Sequence, residues 1–300
     1  MSRRSWAIFA ALSAIWGIPY LFIKLAVDGG LPPATLACAR IAIGATILLA
    51  FAARAHVLGS LRGHWRWIVG FAIVELAIPL TMLGVGEEHV ASSIAAIIIA
   101  AVPLIIAALA LRFDHAERVA GWRLVGLVIG LLGVVALVGI DLGRHASSLF
   151  GAAAVLVAAF GYAAGPMILK RKLSGHDPRA LMGASLAVAA IVLVPVAAFD
   201  APTRVPSATA WAALAVLGVV CTATAFALMA ILIVDVGPSR AAVVTYINPV
   251  IAVALGIAVL GERPGIAAFA GLLAILAGSW LATGGRVAPR TRATADPAGP

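Results

Sequence analysis

Acidic residues are scarce in this chain: there are 12 Asp and Glu among 300 residues, and charged residues of both signs amount to 11%. Soluble domains carry about 25% charged residues, so too little polar surface is present here to wrap a water-soluble core. Cysteine is limited to Cys38 and Cys221, each inside an apolar run. Neither the spacing of a metal site nor a disulfide framework is present, and both read as small core residues. There is no Walker sequence, so ATP does not power the chain directly, and no His/Cys/acid cluster stands at ligand spacing. Most histidines, including His56, His64, His115, His145 and His176, fall in loops. His89, beside Glu87 and Glu88, reads as part of a solvated loop. No cofactor and no enzymatic activity are expected.

What the chain has in abundance is apolar sequence. Hydrophobic residues make up 63% and mean hydropathy is +1.12, against an apolar share of about 45–50% in soluble domains. This composition describes an all-α integral membrane protein in contact with the lipid bilayer. Ten runs are each long enough to span a hydrocarbon core of about 30 Å: approximately 6–27, 34–53, 67–85, 90–111, 120–140, 148–169, 179–199, 208–233, 239–260 and 265–284. They are continuously apolar and lack the alternation of barrel strands, so helices are the expected spanning form. The Arg3-Arg4 start resembles a signal peptide, but the apolar stretch continues to Val27 and is kept as the first span.

A net charge of +9 would suggest nucleic acid in a soluble domain. Here the cations lie between apolar runs and report topology, so no nucleic-acid partner is expected. With the N-terminus inside, inner segments hold sixteen Lys and Arg and outer loops only Arg144, Arg204 and Arg263, while Lys24 and Arg40 lie within spans. This asymmetry predicts both termini in the cytoplasm.

The stretch Ser239–Gly278 repeats the plan of Ser93–Gly133. Pro249 answers to Pro103 and Glu262-Arg263 to Glu117-Arg118, and the glycine pair Gly271 and Gly278 answers to Gly126 and Gly133. The repeat predicts five-helix halves at 1–140 and 148–284, followed by a disordered cytoplasmic tail at 285–300. Five is odd, so the second half must enter the membrane inverted. Such inverted repeats commonly place a site near midplane between the halves, with two equivalent end states. The small-residue faces Gly126/Gly130/Gly133 and Gly271/Ala274/Gly278 suit close helix contact, either between the last two spans of each half or in a homodimer.

Six of the seven tryptophans fall at span ends, where indoles favour the interface. Trp16 instead lies roughly 15 Å deep, with Tyr20 one turn further on. Glu75 is the one acid well inside a span, near midplane, and is a candidate proton carrier or contact for a substrate ammonium group. Arg40 lies below the outer end of span two and favours a carboxylate or zwitterionic substrate; a structural role toward Glu75 or backbone carbonyls fits equally. Lys24 can snorkel to water. Tyr162, Tyr246 and Asn248 are further lining candidates. Pro103 and Pro249 free backbone carbonyls one turn earlier and are candidate hinges.

Trp16-Gly17 with Lys24, Arg40, Gly86-Glu87 leading to Pro103, Ser239-Arg240, Tyr246-Ile247-Asn248-Pro249 and Leu260-Gly261-Glu262-Arg263 together resemble the drug/metabolite transporter superfamily, EamA-type. The resemblance implies ten transmembrane helices as two inverted five-helix repeats around a central cavity. It further implies a small-molecule substrate and export of amino acids, metabolites or toxic compounds. The expectation is therefore a plasma-membrane secondary transporter exporting amino acids or related metabolites, with a broad-specificity drug exporter as the alternative. Asp114-His115-Ala116-Glu117 departs from the usual form, and a proton role for Glu75 comes from its position alone. A non-transporting scaffold would need large partner-binding loops; all loops here are short.

Overall fold

The computed structural model describes residues 1–61, 63–113, 121–137 and 146–282. Glu117-Arg118, the centre of the half boundary and the tail from 285 lie outside them. Among the described residues there is no strand. Seven helices are long and apolar enough to cross a membrane: α1 (Arg3–Asp28), α2 (Pro33–Arg54), α3 (Trp65–Glu87), α4 (Ser92–Leu109), α6 (Ala146–Leu173), α7 (Pro178–Phe199) and α8 (Ala208–Val236). Three apolar helices are shorter: α5 (Trp122–Ala136), α9 (Val244–Leu260) and α10 (Ile266–Ala282).

Several helices are interrupted where their backbone chemistry demands it. Pro19 has no N–H to continue the ladder, and α1 breaks at Ile18 between Gly17 and Pro19. Helix α4 breaks at Ala100–Ala101, just before Pro103. Pro249, in contrast, sits within the continuous helix α9. Helices α3 and α8 each contain a π-helical stretch, at Ala72–Ala77 and Val216–Thr224. In the latter, the Thr222 and Thr224 hydroxyls donate to carbonyls five residues back, Leu217 O at 2.8 Å and Val219 O at 3.0 Å. Each widened turn turns a side chain toward the middle of the bundle, Glu75 from α3 and Thr222 from α8.

The packing respects the repeat. Helix α2 lies along α7, α5 along α10, and α4 against α9; α3 on α6 is matched by α8 on α1, and α2 on α8 by α7 on α3. Each pairing maps onto itself or onto another when every helix is exchanged for its counterpart five places along.

The glycine faces meet each other, which corrects both readings offered from sequence. A Cβ on Gly278 would stand 2.5 Å from Gly126 O and from Gly130 N, and one on Gly133 would meet Ala274 Cβ at 2.8 Å. The faces are therefore consumed inside the chain, between α5 of one half and α10 of the other.

At one end the loops are stitched together, across the halves at Ser207, Asp200 and Glu262 and within the first half at Lys24. Ser207 N donates to Gly29 O at 2.9 Å, and Ala34 N donates to Asp200 Oδ2 at 2.9 Å. Lys24 Nζ donates to Glu87 O at 2.8 Å and pairs with the exposed Asp28 at 3.2 Å, its own side chain remaining 21% exposed. Glu262 accepts from Ser92 N at 2.7 Å and Ser93 N at 3.0 Å, capping α4 from the α9–α10 turn. Gly261, at φ +67, takes the left-handed cap that lets Glu262 N return to Gly256 O at 3.0 Å. Gly256 has no side chain, and a Cβ there would collide with the Glu262 carboxylate. The repeated Glu-Arg turn thus has a concrete purpose in the second half: it fastens α9–α10 onto α4.

Candidate functional site

Between the halves lies a cavity of about 510 Å³, within the range typical of small-molecule sites. All seven residues singled out from sequence as substrate contacts line it: Trp16, Tyr20, Arg40, Glu75, Tyr162, Tyr246 and Asn248; Pro103 and Pro249 do so as well. Arg40 and Glu75 are the charged members of an otherwise largely apolar wall.

Arg40 is 7% exposed. Its Nε donates to Thr222 Oγ1 at 2.9 Å, and that hydroxyl donates onward to Leu217 O. No ion pair joins Arg40 to Glu75 among the described residues, so of the structural roles open to Arg40 in the sequence, neither carboxylate nor carbonyl pairing is the one found. Close approach of α2 and α8 requires Gly44, where a Cβ would meet Thr222 Cγ2 at 2.5 Å.

Glu75 projects from the π-helical turn of α3 onto α6. A Cβ on Gly165 would collide with its carboxylate, and Glu75 Oε2 is buried without a hydrogen-bond partner. Pro166, next in α6, and Tyr162, one turn before it, share that wall.

Trp16 packs edge-on against Phe226 of α8, with ring centroids 6.0 Å apart. Gly17 lies against α9, where a Cβ would meet Ile251 Cβ at 2.6 Å. In its hydrogen-bonded orientation the Asn248 amide donates to Val244 O at 2.8 Å and to Ser13 O at 3.3 Å, tying α9 to α1 beside this contact. Phe160, the sequence counterpart of Trp16, is 54% exposed and takes no part in the lining.

The cavity is asymmetric along the bundle. Its lining reaches Ala242 and Thr245 at the start of α9, whereas toward the stitched end it stops at Tyr20, Leu83 and Ala96. Beyond those residues Ile23, Leu31, Leu36, Val90 and Ile94 form a closed apolar plug, each no more than 5% exposed.

Sequence reasoning missed Thr222, Cys221, Phe226 and Glu87. Cys221 is buried as expected, but it also lines the cavity. Thr222 carried a readable signal, being a polar residue in mid-run. Glu87, read as a solvated loop residue, is 0% exposed; its neighbour His89 packs against the Phe150 ring at 5.2 Å.

An all-helical bundle with two equivalent sets of helices and a central cavity carrying one cation and one acid is the architecture of a membrane transporter. The sequence profile of the EamA-like transporter family matches residues 4–139 and again 149–284, and the chain belongs to that family. It is 31% identical over 271 residues to the protein named "Uncharacterized inner membrane transporter YedA" of Escherichia coli (strain K12), covering 87% of this chain and 85% of that one. It is 26% identical over 196 residues to the "Probable amino-acid metabolite efflux pump" of the same organism, covering 65% and 63%. A solved crystal structure shares the fold, with a TM-score of 0.66 at 20% identity, covering 94% of this chain and 97% of that one.

Proposed function

We propose that this protein is a secondary active transporter that exports amino acids or related small metabolites across the plasma membrane by alternating access. The observation that carries the reading is that Arg40 of α2 and Glu75 of α3 line one small cavity without being joined as an ion pair among the described residues. A zwitterion satisfies both: its carboxylate meets the guanidinium and its ammonium meets Glu75. The efflux activity named for a relative points the same way.

In this reading all ten helices cross the bilayer as two inverted five-helix repeats with both termini in the cytoplasm, an orientation that the Lys and Arg count supports. The stitched end is then outside and the cavity faces inward, ready to load. Trp16, Tyr20, Tyr162, Tyr246 and Asn248 contact the substrate, Glu75 carries a proton, and Pro103 and Pro249 supply bending points. The mainly apolar wall favours a second reading, a broad-specificity exporter of apolar compounds.

The test is uptake of a labelled amino-acid and metabolite panel into proteoliposomes, with and without a pH gradient, for wild type and Glu75→Gln. The expected outcome is gradient-dependent accumulation of a zwitterion that Glu75→Gln abolishes while counterflow exchange survives. Accumulation of apolar cations alone would favour the second reading. A folded protein that moves nothing would turn attention to a scaffold role.

A further inference from the structure

The plug and stitches at the closed end enclose a second acid that the cavity does not use. Glu87 is the last residue of α3. It is 0% exposed, and neither carboxylate oxygen has a hydrogen-bond partner among the described residues. The groups facing it are Tyr20, Lys24 and Asp28 of α1, Arg40 of α2, and Glu262 from the α9–α10 turn.

None of the nearby cations neutralises it directly. The Lys24 ammonium is bonded to Glu87's own carbonyl oxygen, at 2.8 Å, and to the Asp28 carboxylate, at 3.2 Å. Arg40 is directed to Thr222. Glu262 is a second negative group, and its two oxygens are spent on the Ser92 and Ser93 N–H groups at the start of α4. An ionised carboxylate without partners in so dry a place carries a large desolvation cost, which a bound proton removes.

We propose that Glu87 is a proton-binding site of the outer gate, separate from the cavity, and that Glu262 is the latch over it. With the latch seated on α4, Glu87 holds its proton, away from water. When Glu262 leaves the Ser92 and Ser93 N–H groups, α4 separates from the α9–α10 turn, water reaches Glu87, and the carboxyl gives its proton to that water and takes one back before closing. Closure of the outer end is thereby tied to proton binding at a residue that does not touch substrate. Gly256 serves the same device by leaving room for the Glu262 carboxylate.

The proposal rests on the transporter reading, but its test needs no transport. The full chain in proteoliposomes is treated with a hydrophobic carbodiimide, which modifies protonated carboxyls, and the adducts are mapped by peptide mass spectrometry between pH 6 and pH 9. Glu75, on the cavity side, is the internal reference. The expected result is an adduct on Glu87 that falls several-fold as pH rises. It should form about tenfold faster, relative to Glu75, in Glu262→Gln, which gives up one of two bonds made by a charged acceptor. Glu262→Ala removes both and should exceed it; Glu262→Gln keeps the test valid if the alanine variant fails to fold. A Glu87 that is never modified, a yield indifferent to pH, or a rate unchanged by Glu262→Gln overturns the proposal. The proteoliposome uptake assay is unaffected by any of these results.

Discussion

The guanidinium of Arg40 on α2 donates through Nε to the hydroxyl of Thr222 on α8, 2.9 Å away, and the two residues are 182 positions apart in the chain. Both are buried, at 7% and 1% exposure. This bond orients the guanidinium in the cavity wall. Thr222→Val keeps the shape and removes the acceptor, leaving a buried charged donor short of a partner. A loss of about 1–3 kcal/mol is expected, together with weaker binding of carboxylate ligands. Thr222→Ser should restore most of both. Thermal unfolding in detergent and ligand-induced stabilisation of each variant check this.

At the seam between α5 and α10, backbone meets backbone. A methyl on Gly278 would lie 2.5 Å from Gly130 N and 2.7 Å from Gly130 Cα, atoms that cannot move aside without shifting a helix. Gly278→Ala is therefore expected to destabilise the protein by about 1–3 kcal/mol. Gly70→Ala, in α3 where nothing lies within 4 Å of the new methyl, should be neutral or slightly stabilising through helix propensity. Parallel melting curves of the two variants separate contact from composition.

The cap of α7 is sensitive to acid. Asp177 Oδ1 accepts from Arg179 N at 2.9 Å and Oδ2 pairs with the Arg179 guanidinium at 2.8 Å. The hydrogen bonds from Arg179 hold its carboxyl below the usual aspartate range. A lowered folded-state pKa means the contribution is present above the unfolded value, near 3.9, and fades as pH falls through the folded one. Asp177→Ala should cost up to about 1 kcal/mol at neutral pH. The difference between the melting curves of variant and wild type should shrink toward zero below about pH 4.

Gly165 tests the placing of Glu75. A methyl there would meet the Glu75 carboxylate and also Glu75 Cβ at 2.7 Å, so it would displace the carboxylate and press α3 away from α6. Gly165→Ala should therefore melt lower than wild type and, in the folded fraction, resemble Glu75→Gln in the gradient-driven assay. Normal accumulation by a folded Gly165→Ala would mean that the position of Glu75 against α6 is irrelevant to coupling.

The cavity residues were legible because each broke a rule of membrane composition. Trp16 lay too deep for an interfacial indole, Glu75 and Arg40 were charged inside apolar runs, and Asn248-Pro249 set an amide and a proline inside an apolar run. Glu87 was not legible, because a carboxylate at the end of an apolar run ordinarily sits in water. Only the plug of Ile23, Leu31, Val90 and Ile94 and the Glu262 cap over α4 put it out of reach. The glycine seam was visible as a repeat, but its partner was not, since a small-residue face fits any other small-residue face.

The amino-acid sequence by itself determined that the chain is a helical membrane protein built from a duplicated half, because apolar run length, cation asymmetry and repeated Pro, Glu-Arg and Gly positions are one-dimensional properties. It also marked which deep residues were out of place. Only the tertiary structure decided which of them meet. Helices in lipid are apolar on every side and carry no polar-outward stripe that would say which face is buried. Their pairing is chosen by backbone approach at glycines such as Gly44, Gly165 and Gly278, and by polar bonds between residues far apart in the chain, Arg40 with Thr222 and Glu262 with Ser92.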